Sequence, residues 1–161
     1  MKPIAEIFSQ GEEIITGDTV DSNAAWLSQR LVELGFKVRR HTAVGDDLDD
    51  LLSLFQEIAE RADCCICTGG LGPTIDDLTA EAVSIASQQV LQFDAEAYAQ
   101  IQQYYACRDR PMPAANRKQA MLPDGAQRID NAIGTAPGFA MQFKLSCNDS
   151  RSNLLGAHDT F

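Results

Sequence analysis

The fold class is decided by one stretch of sequence, Cys64-Cys-Ile-Cys-Thr-Gly-Gly-Leu-Gly-Pro-Thr-Ile-Asp-Asp-Leu-Thr79. Its first four residues form an uninterrupted apolar run, which is typical of a strand that helices cover on both faces of a parallel sheet. A glycine-rich loop follows, and Leu78, Ala82 and Ile85 then recur at helical spacing. The stretch therefore predicts a central strand, a loop and a helix in direct succession.

The chain before this stretch repeats the same alternation. Strands are predicted over residues 4–9 and 36–44, and each is followed by Asp residues that can cap a helix, at Asp21 and at Asp46-Asp47. Both predicted helices carry an apolar stripe at helical spacing. Alternating strands and helices with short links predict a doubly wound α/β sheet, in which ligands gather beyond the carboxyl ends of the strands.

The chain after the stretch is less regular. A helix is predicted from Asp94 to about residue 108, and Pro111-Met-Pro113 separates it from a shorter helix over residues 114–120. Short strands are predicted over residues 127–129 and 139–143. The polar run from residue 144 onward gives no clear signal, so we expect one domain over residues 1–143 and a divergent tail over 144–161.

Composition excludes several classes of partner. The chain has 161 residues, with 13 Lys plus Arg against 23 Asp plus Glu and a net charge of −10. Such a chain lacks the positive field that binds nucleic acid or anionic lipid, so neither a nucleic-acid partner nor a membrane partner is expected. The sequence shows no secretory signal and no membrane span, and Cys64, Cys65 and Cys67 in one apolar run fit reduced core thiols, which predicts a cytoplasmic protein.

The loop after the central strand is the first candidate for ligand binding. Gly69, Gly70 and Gly72 lack a Cβ, so their amides can approach a phosphate beside the start of a helix. A tight turn that needs unusual dihedral angles explains the glycines equally well. Asp77 and Thr79 follow within one helical turn, where a carboxylate either faces the same ligand or complements the helix N-terminus.

More carboxylates follow the other two strands of the predicted sheet. Asp46 follows the second strand and Glu13 follows the first, so both should emerge along the same rim. Together with Asp77 they predict oxygen ligands for a hard divalent ion, although helix capping and solvated loop charge are alternatives. Arg110 and residues 116–119 form a compact cationic patch, which fits either a bound phosphate or an exposed helix.

Several motifs together resemble one family. They are Gly11-Glu-Glu-Ile-Ile-Thr-Gly17, Val20-Asp-Ser-Asn-Ala24, Val44-Gly-Asp-Asp47, Thr68-Gly-Gly-Leu-Gly-Pro-Thr-Ile-Asp-Asp-Leu-Thr79, Arg110-Pro-Met-Pro113, Asn116-Arg-Lys-Gln-Ala120 and Gly134-Thr-Ala-Pro-Gly-Phe139. In this order they resemble the amino-terminal domain of the competence/damage-inducible CinA family, which has the molybdopterin-binding fold of molybdenum-cofactor biosynthesis. The resemblance covers about residues 4–143.

This resemblance implies a MogA/MoaB-like three-layer α/β sandwich with a mostly parallel sheet. It further implies a metal-dependent pyrophosphatase that hydrolyses ADP-ribose to AMP and ribose 5-phosphate, and a homo-oligomer. The catalytic residues it suggests are Asp46, Asp77 and Lys118. The ligand-binding residues are Gly69, Gly70, Gly72, Thr79, Asn23, Asn116 and Gln119, and the ligands of the divalent metal are Asp46, Asp77 and Glu13.

Two other functions stay open at this point. The domain could bind molybdopterin or a related pterin phosphate without hydrolysing a pyrophosphate, or it could be an inactive truncated domain. The second alternative rests on residues 144–161, which depart from the further strand and Leu-Pro-Gly-Val-Pro type loop that the family has there. A missing strand would leave a sheet edge exposed and favour pairing with another chain. The family's separate amidase-like domain, which deamidates nicotinamide mononucleotide, is not assigned to this chain.

Overall fold

The computed structural model describes residues 1–143 and the backbone of residues 153–157. The strands are β1 Ile4–Gln10, β2 Lys37–Val44, β3 Cys64–Thr68, β4 Leu91–Phe93, β5 Met121–Pro123, β6 Gln127–Ile129, β7 Gly138–Phe143 and β8 Asn153–Ala157. The α-helices are α1 Glu12–Ile15, α2 Ser22–Glu33, α3 Leu48–Arg61, α4 Thr79–Ala86 and α5 Ala95–Ala106, and a 3-10 helix spans Ala114–Ala120. Each of the predicted elements up to residue 143 is found within two residues of its expected bounds.

Six strands form one sheet in the order β2-β1-β3-β8-β7-β6. Strands β2, β1, β3 and β8 run parallel to one another, whereas β7 lies antiparallel between β8 and β6. Helix α2 packs on one face against Ala5 and Ile7, while α3 and α4 pack on the other against Phe8 and Cys67. Alternate residues of β1 thus face opposite helical layers, which confirms the three-layer α/β sandwich with a mostly parallel sheet.

Three helices begin at the capping aspartates from which the sequence predicts their starts. Asp21 accepts a hydrogen bond from the amide of Ala24, and Asp47 accepts from the amides of Asp49 and Asp50 at the start of α3. Asp94 caps α5 in the same way. These bonds satisfy amides that a helix leaves unpaired at its N-terminus, so they fix where each helix leaves the sheet.

The expected lack of a strand after residue 143 is wrong. Strand β8 lies inside the sheet, where Cys67 pairs with Ala157 on one side and Phe139 pairs with Ala157 on the other. The five residues of β8 have no clear period, so only backbone pairing with distant strands reveals them. The strand therefore occupies the place where the sequence suggests an exposed edge.

Other elements are too short to be predicted from the sequence. Helix α1 has four residues, and β4 and β5 form a separate antiparallel pair with three residues each. Residues 114–120 form a 3-10 helix, at the place where a short helix is expected. In the described part of the chain, every helix is too short or too polar to cross a membrane.

Helix α5 is held to the sheet by one cation. Arg128 of β6 contacts the carboxylates of Asp94, Glu96 and Asp130 at 2.7 to 2.9 Å. The hydrogen bond from Arg128 lowers the pKa of Asp130 below its ordinary value. This joint fixes α5, and with it the packed 3-10 helix, relative to the rim at which β6 ends.

Candidate functional site

Two glycines let the loop after β3 lie directly on β1. Gly69 and Gly70 have φ angles of +90° and +71°. A Cβ on Gly69 would lie 2.1 Å from the backbone oxygen of Gln10, and one on Gly70 would lie 2.0 Å from Gln10 Oε1. Both positions therefore require glycine for conformation and for close approach, as the tight-turn interpretation predicts.

Asp77 closes the same loop from its far end. Its carboxylate accepts hydrogen bonds from the amides of Gly72 and Thr74, at 2.8 and 2.7 Å, and from the Thr74 hydroxyl. A Cβ on Gly72 would lie 2.6 Å from this carboxylate, so the third glycine makes room for Asp77. The amides of Gly72 and Thr74, which could have faced a phosphate, are occupied by the loop's own aspartate.

Gln10 joins the ends of three strands, and sequence reasoning missed it. Its side chain is 3% exposed; it donates to Asp46 Oδ1 at 2.8 Å and to the Asp76 carbonyl at 3.1 Å. The Thr79 hydroxyl lies 2.6 Å from Gln10 Oε1 and 2.8 Å from the Gly69 carbonyl. The available signal was a polar residue ending an otherwise largely apolar strand at the rim where ligands bind.

One cleft at this rim is lined almost entirely by carboxylates. The acidic cleft encloses about 510 Å³, and its lining side chains are Glu12, Ile15, Asp46, Asp47, Asp50 and Asp76. Asp47 is used as the cap of α3, whereas Asp46 is exposed and bound to Gln10. The structure thus places Asp46 beside Asp76 rather than beside Asp77.

The three predicted metal ligands do not form one group. Asp46 lines the acidic cleft, Glu13 lines a neighbouring cleft, and Asp77 is bonded within the loop. Across residues 1–143, His, Cys, Asp and Glu side chains form no cluster of three that could hold a metal ion. A Mg²⁺ ion needs only one or two carboxylates when substrate phosphates and water complete its shell, and Asp46 with Asp76 fits that lesser requirement.

A second cleft lies on the other side of Gln10. It encloses about 300 Å³ and is lined by Ser9, Gln10, Glu13, Asn23, Thr68 and Gly69, among others. The Thr68 hydroxyl donates to Ser9, and the Ser9 hydroxyl donates to Asp21 at 2.6 Å. This polar cleft brings together three of the predicted site residues, Glu13, Asn23 and Gly69.

The 3-10 helix supports the loop from outside. Lys118 Nζ donates to the carbonyl of Thr74, and Gln119 Nε2 donates to that of Leu71 at 3.4 Å. Asn116 is 2% exposed and donates to Gln119 Oε1 at 2.7 Å. Asn116, Gln119 and the fully buried Thr79 thus hold the loop in place, whereas Lys118 brings an ammonium group to its edge.

A mostly parallel sheet with a glycine-rich loop and carboxylates at its carboxyl-end rim defines a doubly wound α/β protein with a ligand-binding rim. Residues 6–153 match the family described as "Probable molybdopterin binding domain". The tungsten cofactor synthesizing protein MoaB from Pyrococcus furiosus has the same fold, with a TM-score of 0.60 and 16% identity over 97% of this chain and 81% of that chain.

The chain belongs to the CinA family. It is 50% identical over 138 residues to a CinA-like protein of Desulfosudis oleivorans, which is 86% of this chain and 33% of that protein. It is 42% identical over 137 residues to the nicotinamide-nucleotide amidohydrolase PncC of Shewanella oneidensis, covering 85% of this chain and 32% of PncC. The chain therefore spans about a third of the length of these curated relatives.

A solved structure supports the same assignment. The protein CinA from Thermoplasma acidophilum superposes with a TM-score of 0.82 and 32% identity. The alignment covers 97% of this chain and 88% of that chain. The fold described above is thus shared with this CinA structure over nearly all of the present chain.

Proposed function

We propose that this domain is a metal-dependent pyrophosphatase that hydrolyses ADP-ribose to AMP and ribose 5-phosphate. The proposal rests chiefly on one observation, which is that Gln10 joins Asp46 of the acidic cleft to the glycine-rich loop at 2.8 and 3.1 Å. A carboxylate and a loop that starts a helix are thereby held side by side at one rim. Such an arrangement would place a cation held by the carboxylate next to a phosphate bound at the loop, which is what metal-assisted phosphoryl chemistry uses.

The charge of the acidic cleft explains why a cation is needed. Five carboxylates line it, and the chain carries a net charge of −10, so a diphosphate beside Asp46 would be repelled. When bound, a divalent ion supplies the neutralising charge and an acidified water molecule. Asp46 and Asp76 are the residues that would hold this ion, because both line the same cleft and Gln10 binds the Asp46 carboxylate and the Asp76 backbone carbonyl.

The remaining side chains would bind and orient the substrate. Lys118 offers a positive charge at the edge of the loop, where its ammonium group is held by backbone carbonyls. Glu13 and Asn23 line the polar cleft beside Gly69, where hydroxyl groups of a ribose find both donors and acceptors. Asp77 acts in this proposal as a positioning residue, since its carboxylate shapes the loop.

A pterin phosphate-binding module is the second candidate. It is favoured by the lack of a three-residue metal group among the described residues, since phosphate binding alone needs no metal. The fold shared with the tungsten cofactor synthesizing protein MoaB also supports it. In this case the polar cleft beside Gly69 would hold the ligand, and the acidic cleft would have no role in affinity.

Incubation with ADP-ribose tests the two candidates directly. The purified chain should release AMP in the presence of Mg²⁺ and stop when a chelator is added. The Asp46→Asn variant should lose this activity, whereas Asp124→Asn, an exposed residue outside both clefts, should retain it. A folded chain that releases no AMP above a metal-only control contradicts the proposal. Metal-independent binding of a pterin phosphate by that chain would then support the second candidate, and binding of neither ligand would indicate an inactive domain.

A further inference from the structure

A third cleft lies between α5 and residues 130–137. It encloses about 430 Å³; one wall is formed by Gln103 and Tyr104 of α5 and by Cys107 and Arg108 directly after it, while Thr135 lies on the facing wall. Segment 130–137 connects the end of β6 to the start of β7. Since β7 begins opposite the last residue of β8, this segment lies at the same rim as the other two clefts.

The α5 cleft lacks the excess of carboxylates that lines the acidic cleft, since its charged residues are one cation, Arg108, and one carboxylate, Asp130. Arg108 forms no ion pair within the described residues; its guanidinium stacks 3.5 Å from the ring centre of Tyr104 and donates one hydrogen bond to the Tyr104 carbonyl. The cleft's carboxylate, Asp130, is instead bound by Arg128. An uncompensated cation is thus left facing a cleft in a strongly acidic chain.

Both walls of the α5 cleft are fixed before any ligand binds. Asn131 accepts hydrogen bonds from the amides of Ile133 and Gly134 at 2.9 Å, and it donates to the Ala136 carbonyl at 2.8 Å. The opposite wall is anchored at the start of α5, where Arg128 binds Asp94 and Glu96, and within the cleft Gln100 is hydrogen-bonded to Asp130. Preformed walls lower the entropic cost of binding, which distinguishes this cleft from a gap between mobile side chains.

We propose that the α5 cleft is a second ligand site, which binds the nucleoside monophosphate group of a nucleotide. The guanidinium plane of Arg108, already stacked on Tyr104, offers its outer face to a heteroaromatic ring. Its unused N–H groups bind a phosphate, and Gln103 and Thr135 add uncharged polar groups. The volume of about 430 Å³ falls in the range of small-molecule sites. This site lies outside the reaction centre proposed above, and no bond is made or broken in it.

Cys107 gives a local reporter for this proposal because it lines the α5 cleft and is exposed. Cys64, Cys65 and Cys67 are buried, and burial raises the pKa of Cys64 and Cys65, so they react slowly with thiol reagents. With Cys147 replaced by Ser in every protein, a chromogenic disulfide reagent should modify Cys107 first. Saturating AMP should slow that modification by about tenfold, whereas adenosine or inorganic phosphate alone should protect less.

Two arginine variants decide where the protection arises. In Arg108→Gln, the AMP concentration that gives half-protection should be about tenfold higher than in the parent protein. Protection in each protein is measured against that protein's own rate of modification without AMP. Arg30→Gln is the matched control, since Arg30 also lies over an aromatic ring, Trp26, but on α2 outside the cleft. Absence of protection by AMP, or equal effects of the two variants, would overturn the proposal.

A third variant separates this site from the reaction centre. Asp46→Asn should leave AMP protection of Cys107 unchanged even if it removes all pyrophosphatase activity. Loss of protection in Asp46→Asn would assign the nucleotide to the main site and contradict a second one. AMP protection of Cys107 needs no turnover. Protection can therefore be observed in a protein that has no pyrophosphatase activity, and it can be absent from a protein that has this activity.

Discussion

The glycine-rich loop and the acidic cleft lie side by side at one rim, but they use their polar groups in opposite ways. In the loop, the carboxylate of Asp77 accepts three hydrogen bonds from residues 72–74, and Thr79 is buried against Gln10. In the acidic cleft, Asp46 is exposed with a single described partner, and other carboxylates face it. The loop's polar groups are therefore committed to structure, whereas those of the cleft remain available to a ligand or cation.

The comparison predicts its largest effect on stability in the loop. Gly69→Ala should lower the free energy of unfolding by about 3 kcal/mol, because its Cβ would meet the backbone of β1 at a positive φ. Gly125→Ala is the control, since Gly125 also has a positive φ but no atom lies near its Cβ position, and it should lose only about 1 kcal/mol. Urea denaturation measures both, and equal losses would show that the contact with Gln10 is unimportant.

The second-largest effect should be a loss of activity when a carboxylate of the acidic cleft is replaced. Asp46→Asn should reduce metal-dependent release of AMP on the order of 10²-fold, since it removes a charge that the proposal assigns to the metal. The Asn oxygen can still accept from Gln10, so stability should change by less than about 0.5 kcal/mol. A steady-state assay and a melting curve on one preparation check both statements. Unchanged turnover would remove Asp46 from the site.

Asp77→Asn should show the reverse pattern. The amide retains one acceptor oxygen but loses charge-assisted bonds to the Gly72 and Thr74 amides, which should cost about 1 to 2 kcal/mol of stability. Turnover, measured well below the melting temperature, should fall less than in Asp46→Asn. A 10²-fold loss of turnover with unchanged stability would instead make Asp77 a catalytic or metal-binding residue, as the family resemblance implies.

The smallest effect tests repulsion within the cleft. Asp76→Asn should raise the unfolding free energy by about 0.3 kcal/mol at low ionic strength, because it removes one of several facing like charges. The gain should vanish in 1 M salt, where the screening length is about 3 Å. Asp124→Asn, outside the cleft, corrects for the general relief of net charge. A gain that is equal in both variants would mean that the cleft carboxylates do not repel one another.

The elements that sequence predicts are those with a local chemical signal. Asp21, Asp47 and Asp94 each precede an apolar stripe, so the helix starts could be read directly and are confirmed. The β4–β5 pair and β8 could not, because three to five residues without a period depend on strands that are distant in sequence.

The candidate site shows the same limit. Spacing places Asp46 and Asp77 at one rim, but only the fold shows that Asp77 turns back to its own loop while Asp46 meets Gln10. Side-chain direction within a loop depends on hydrogen bonds that spacing does not specify. The divalent metal, the homo-oligomer, the cytoplasmic location and the lack of nucleic-acid and membrane partners stay predictions.

Because β8 lies inside the sheet, the sheet cannot be completed until the last of its strands in sequence has been synthesised. Strands β2, β1 and β3 can pair once residue 68 has left the ribosome, and β6 can later pair with β7, but no strand joins the two pieces until residues 153–157 have also emerged. Until then β3 and β7 each present an open edge, the state in which nascent chains associate with one another. A ribosome pause after β7 has left the exit tunnel and before residues 153–157 have left it should therefore prolong chaperone contact more than a pause elsewhere in the domain.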